Sequence, residues 1–289
     1  MTFQPESLLC ILPVYQSLLF AVIAKVLYHR SGGNHRQVLS LFMLVSGLWF
    51  VLNCIYVSKH LIFLSIAVYL SLPVWLLLMP VFYLWIKSLM DPDYSVRWND
   101  GKHFLPALTG LLLMIPWWLG DPAERMDFIL QKPDLDFWRT YVLWIYRVAV
   151  FGAFAVQFAI YAFYFSKRYP GYIQLVKNYH SNPDAFRLTW LKWIIAFFLI
   201  SYLAIDLIHL TGKVNHGFYR MEFNVLMLIL NLGIGLFGIS QPAGWASADT
   251  RYFRAAHSEK DAPPVAEPAP QSRPRYKKPL LKPEGRDQL

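Results

Sequence analysis

Residues Leu61–Leu89 read LIFLSIAVYLSLPVWLLLMPVFYLWIKSL, and no charged side chain occurs before Lys87. The reading of Pro73 and Pro80 inside this run decides the fold. If the prolines ended helices, Leu61–Leu72 would be a piece of 12 residues, too short to cross a hydrocarbon layer of roughly 30 Å. In lipid, neighbouring helices can satisfy the backbone groups that proline frees. The run is therefore expected to be one kinked membrane helix.

Similar runs recur on both sides of it. The chain is 56% hydrophobic, 17% aromatic and only 16% charged, against about 25% charged in soluble domains. This composition excludes an ordinary soluble enzyme or binding module and points to an all-α integral membrane protein. Seven spans are predicted: Leu8–Tyr28, Val38–Val57, Leu61–Leu89, Phe104–Leu119, Trp138–Phe165, Leu188–Leu210 and Met221–Ile239. The fourth is marginal and must borrow from His103 or Gly120. No basic residue precedes the first run, so it is read as a permanent helix rather than a cleaved signal peptide.

Orientation follows from lysine and arginine in the short loops. Eight fall after the first, third and fifth spans, five after the second, fourth and sixth, and nine more in the tail. The expected topology has the N-terminus outside and the C-terminus in the cytoplasm, in a multi-pass inner-membrane protein. Three parts result: a membrane domain over 1–240, a Pro/Ala-rich linker over 241–274, and a basic junction over 275–289. Asp261–Pro274 cannot bury apolar area and reads as a disordered, extended tail. Cys10 and Cys54 have no metal or redox spacing. Both fall near the outer helix ends, where a disulfide is geometrically open, and small apolar packing is the simpler role.

No enzyme signature is present: no phosphate loop, zinc spacing, nucleophile elbow or kinase motif. No enzyme activity, cofactor or metal is expected. Ionisable groups inside the spans are the sharper signal, because lipid burial costs several kcal/mol. At about 1.5 Å of rise per residue, Arg147 falls roughly 10–14 Å inside the outer boundary and Asp206 roughly 6 Å. His209 and Tyr202 share the Asp206 stripe, and Glu222 and Asn224 open the seventh span. Gln16 and Asn53 fall in the same outer half. Two readings fit this set: an outward-facing pocket for a small solute or proton signal, or an Arg147 ion pair with Asp206 or Glu222 that ties three helices together. Among the aromatics, Trp117, Trp118 and Trp138 are expected in an outer interfacial belt, and Trp85, Trp98, Trp190 and Trp193 in an inner one. Tyr172–Tyr179 is expected as a short amphipathic stretch in the loop Ser166–Arg187.

Three stretches carry a family resemblance. They are Met79-Pro-Val-Phe-Tyr-Leu-Trp-Ile-Lys-Ser-Leu89 with Lys102-His-Phe-Leu-Pro106, Tyr179-His-Ser-Asn182 leading into Leu188-Thr-Trp-Leu-Lys192, and Arg275-Tyr-Lys-Lys-Pro-Leu-Leu281. In this order the chain resembles the N-terminal membrane domain of bacterial membrane-bound AraC-type transcription regulators. Pro80, Tyr83, Lys87, Ser88, Leu89, His103, Phe104 and Pro106 match the pattern, while Met79 stands where the family has glycine. The resemblance implies signal-coupling roles for Pro80, Tyr83, Lys87, His103, Pro106 and Trp190. It also implies a seven-helix sensor that couples an envelope signal to a cytoplasmic output and pairs as a homodimer. The expected partners are the lipid bilayer and an unidentified small-molecule or envelope signal. The family's DNA-binding half does not follow within these 289 residues, so DNA is expected as a partner only through an output domain not present in this chain. The alternative is a small-solute transporter, whose expected mark is paired broken helices in two halves. The third span has no such partner.

Overall fold

In the computed structural model, residues 5–31, 33–58, 61–91, 94–121, 152–179, 188–210 and 216–241 are described. At 5–10, 31, 56–58, 61–62, 175, 179, 198, 202–210 and 216–223 it describes the backbone alone. The elements are α1 (Pro5–Ser31), α2 (Asn34–Ser58), α3 (Leu61–Met90), a short 3-10 helix (Trp98–Phe104), α4 (Leu105–Leu113), α5 (Ile115–Leu119), α6 (Phe154–Tyr179), α7 (Thr189–Leu210) and α8 (His216–Ser240). No strand occurs among the described residues. Three stretches, Ile11–Arg30, Asn34–Ile55 and Phe63–Met90, are helical, long and apolar enough to cross a membrane. Thr189–Ser201 and Asn224–Ser240 are shorter apolar helical stretches.

α3 runs unbroken through Pro73 and Pro80, as the reading of Leu61–Leu89 requires. The fourth predicted span is instead two helices broken at Met114, with Pro116 in the first turn of α5. Proline is tolerated there because that N–H would have no helical partner. The structure also corrects the loop after the fifth span. Tyr172–Tyr179 is the end of α6, which continues past Phe165 and through Pro170 to Tyr179. The carbonyl that Pro170 cannot serve belongs to Ser166, an exposed residue, so solvent can take it. Beyond Gln241, the linker and the basic junction lie outside the described residues, as does the fifth span before residue 152.

Contacts along the helices fix their directions. Ser40 Oγ donates to the Ala21 carbonyl at 2.9 Å, while a Cβ on Gly47 would lie 3.3 Å from Ser17, so α1 and α2 are antiparallel. Trp49 meets Trp75 and Phe42 meets Phe82, which makes α2 and α3 antiparallel too. α4 and α5 descend beside α3: His103, just before α4, lies against Tyr83, Gly110 against Leu76, and Trp118 against Tyr69. α6 runs parallel to α3, with Phe154 beside Trp75 and Tyr161 beside Tyr83. α7 is antiparallel to α8, since Ile194 meets Gly233 and Trp190 meets Phe237. α8 is parallel to α1, through Gln16 to Leu228 and Ser17 to Asn231. Direction thus alternates at each successive segment when α4 and α5 are taken together.

The three-way junction of α1, α2 and α8 is polar at its centre. Asn231 Nδ2 donates to Ser17 Oγ at 3.1 Å and to Ser46 Oγ at 2.8 Å. Asn231 Oδ1 lies 3.0 Å from Ser46 Oγ. All three residues are almost wholly buried. Small and polar side chains at such crossings let helices approach and hydrogen-bond where apolar burial gives no net drive. Around the triad, α8 presents bare backbone to large rings: a Cβ at Gly235 would collide with Phe20, and one at Gly238 would lie 2.8 Å from Trp85 Cζ2.

Candidate functional site

Pro80, Tyr83 and Lys87 lie three and four residues apart, so they share one face of α3. α6 lies along that face. Pro80 has no N–H, so the Leu76 carbonyl loses its helical donor. Gln157 of α6 supplies a replacement, its Nε2 donating to Leu76 O at 3.5 Å. One turn further along, the Tyr83 and Tyr161 rings stack at 4.7 Å between centroids. His103 closes the group, with its ring 5.1 Å from Tyr83 and its Nδ1 3.5 Å from the Tyr161 hydroxyl. Burial pushes the His103 pKa below its ordinary value, and nearby Lys102 and Lys87 add to this against the pull of Asp100.

The seam ends in an ionic latch. Lys87 Nζ donates to Asp100 Oδ1 at 2.9 Å and sits 4.2 Å over the Tyr94 ring. The other carboxylate oxygen, Oδ2, accepts from Tyr94 OH at 2.8 Å and from the Arg97 N–H at 2.9 Å. Burial on its own raises the carboxyl pKa. The Arg97 N–H, Lys87 and Tyr94 outweigh it and hold Asp100 at about 2. Burial first, and then the bond to this carboxylate, push the Tyr94 hydroxyl far above its ordinary range. Asn34, at the start of α2, donates to the Tyr94 carbonyl at 2.8 Å and so anchors the same loop. Gly33 just before it has φ 92°, a left-handed turn that glycine accepts without strain.

Trp190 of α7 stacks on Phe237 at 5.2 Å and lies 6.0 Å from Trp85. Its Nε1 donates to Gln241 Oε1 at 3.3 Å, where α8 ends. Pro106 stands in the first turn of α4 and helps to start it. Of the six residues that the resemblance singles out for coupling, Tyr83, Lys87 and His103 therefore meet around one seam, with Pro80 setting its spare carbonyl.

The outer polar set fares differently. Arg147 lies outside the described residues, as do the side chains of Tyr202, Asp206, His209 and Glu222. Asn224 is buried, and its Oδ1 has no hydrogen-bond partner among the described residues. Gln16 Nε2 donates to Leu228 O at 3.3 Å, tying α1 to α8. Asn53 Nδ2 donates within its own helix, to Trp49 O at 2.9 Å. Of the tryptophans expected in interfacial belts, Trp85 and Trp117 are instead fully buried in the core, whereas Trp98 and Trp193 are 99% and 73% exposed. No metal-binding group of three or more His, Cys, Asp or Glu occurs among the described residues.

Asp100, Tyr94, Gln157 and Asn231 escaped the sequence reading, which weighed charges inside spans and polar groups in their outer half. Gln157 and Asn231 carried a usable signal, as uncharged polar residues in the middle of apolar runs. Comparison with known proteins gives no family for this arrangement: no family model, curated protein or solved structure matches the chain.

Proposed function

We propose that the chain is a multi-pass membrane sensor module of the AraC-associated kind, with seven crossings, its N-terminus outside and its C-terminus in the cytoplasm. An envelope signal received in the outer half of the bundle shifts α3 against α6. The shift reaches the Lys87–Asp100 latch and the Trp190–Gln241 contact, and from there the cytoplasmic tail. One observation carries this reading: Pro80, Tyr83, Lys87 and His103 converge on a single α3–α6 seam that ends in a buried ion pair. Such a seam suits a two-state element, since proline frees a carbonyl and a borrowed side-chain bond holds it. The alternating helix directions favour seven crossings.

The test uses the source cells, with the chromosomal copy replaced by Gln157→Leu or Asp100→Ala at matched membrane abundance. Transcript profiling is expected to show a compact set of genes shifting together in both variants. Unchanged transcripts, together with solute movement into proteoliposomes above empty vesicles, would overturn the sensor in favour of a permease. A fluorescent reporter fused after Leu289 is expected to be active only on the cytoplasmic side.

A further inference from the structure

We infer that Cys10 and Cys54 form a disulfide that staples the outer ends of α1 and α2. The two helices are antiparallel, and one close approach sets their register: a Cβ on Gly47 would lie 3.3 Å from Ser17 Cβ. Cys10 stands seven residues before Ser17, and Cys54 seven residues after Gly47. Between antiparallel helices both steps lead the same way, outward. Seven residues give about 10.5 Å of rise and fall only about 20° short of two full turns. The two cysteine positions therefore share the next rung, on the faces that bring Ser17 and Gly47 together. The same step inward leads to Ala24 and Ser40. There Ser40 Oγ donates at 2.9 Å to the Ala21 carbonyl, one turn from the buried Ala24. The helices thus stay in contact over two successive rungs, and small residues line both sides: Cys10, Ser17 and Ala24 against Ser40, Gly47 and Cys54.

A disulfide needs Cβ atoms about 3.5–4.5 Å apart. The Ser17–Gly47 rung is slightly tighter than that range, so the helices can separate by about 1 Å at the next rung and still be bridged. The chain has two cysteines in 289 residues, and both fall on this one rung, a coincidence that apolar packing does not require. Cys54 stands in the structure as a half-buried thiol, so closure is an oxidation. It joins the two Sγ atoms and gives up two protons and two electrons. A dithiol–disulfide oxidoreductase of the envelope takes these up, its own S–S bond opening to two thiols. Cys10 is five residues past the start of α1 at Pro5, and Cys54 four before the end of α2 at Ser58. Both positions are therefore within about 8 Å of a helix end. Envelope compartments keep disulfides and the cytosol reduces them. Oxidation in cells thus rests on the N-terminus-outside topology proposed above, whereas the shared rung does not.

The test collects membranes from the source cells in excess N-ethylmaleimide, digests the protein without reductant and reads the peptides by mass spectrometry. A peptide pair joined through Cys10 and Cys54, two hydrogens lighter than the sum of its halves, is expected. Neither cysteine is expected to be alkylated until dithiothreitol is added. In the purified full chain in micelles, reduced and then treated with dithiodipyridine, the same link is expected to return within one chain. Combining Cys54→Ser with Ile55→Cys turns the second thiol about 100° around α2 and is expected to abolish closure. Both cysteines alkylated as collected would overturn the disulfide. Return of the link in micelles would then lay the fault on the topology, and its failure on the register. A link that joins two chains, or that forms equally well from position 55, would overturn the assignment too.

Discussion

Replacing Asp100 by Asn keeps the side chain's size and removes its charge. Asn can still accept from Tyr94 or the Arg97 N–H, but Lys87 Nζ, now 2.9 Å from Oδ1, loses its counter-ion. The fold moves the Asp100 carboxyl from 3.8 to about 2, and at about 1.36 kcal/mol per unit this corresponds to roughly 2 kcal/mol. The Lys87 and Asp100 side chains are only 18% and 8% exposed, so leaving the ammonium unpaired adds to the loss, and breaking such pairs costs about 3–5 kcal/mol. The expected destabilisation is about 3 kcal/mol. The assay is denaturant unfolding of the purified protein in mixed micelles, followed by tryptophan fluorescence, for Asp100→Asn, Lys87→Met and the double variant. The double variant should recover to within about 1 kcal/mol of the milder single change, giving a coupling of about 2 kcal/mol. The pH dependence has a definite sign. The carboxyl pKa is depressed in the fold, so its contribution is complete above 3.8 and is lost as pH falls through about 2. The stability gap between wild type and Asp100→Asn should narrow across that window. A gap below about 0.5 kcal/mol at neutral pH, or zero coupling in the cycle, refutes the latch.

Gln157→Leu strands the Leu76 carbonyl and should cost about 1–2 kcal/mol. Pro80→Ala in the same background returns a backbone N–H to that carbonyl, so unfolding midpoints should recover in the double variant if the pairing holds. Asn231→Leu removes the bonds to Ser17 and Ser46; at about 0.6 kcal/mol per interhelical bond in lipid, a loss of about 1–2 kcal/mol is expected in the same unfolding assay. His103 has a lowered pKa, so its neutral form favours the fold, and stability should fall as pH drops below about 6.5. His103→Gln should flatten unfolding curves between about pH 7 and 5.

The backbone was more legible than the side-chain partnerships. Pro73 and Pro80 inside Leu61–Leu89 were readable as one helix because length left no other way to cross, and α3 is one helix. The extension of α6 past Pro170 was hidden because proline's single lost bond falls on an exposed carbonyl, which sequence pattern does not weigh. Trp85 and Trp117 were misassigned to belts because tryptophan suits an interface and a core equally by composition. Asp100 sits in a short polar loop, and nothing local to Trp98-Asn-Asp-Gly-Lys102 reveals that Lys87 waits one element back. Pairings across helices depend on rotation about each axis, which the apolar runs fix only to within a face. Pro80, Tyr83 and Lys87 shared a stripe by spacing alone, before any neighbour was known.

The carbonyl of Leu76 gives α3 an unusual mechanical property. Flexing the rod at that level tears no rung of its own ladder, since the rung is already missing, and the resistance comes from a neighbouring amide 3.5 Å away. One bond of the longest described helix is thus completed from outside, by a side chain of α6.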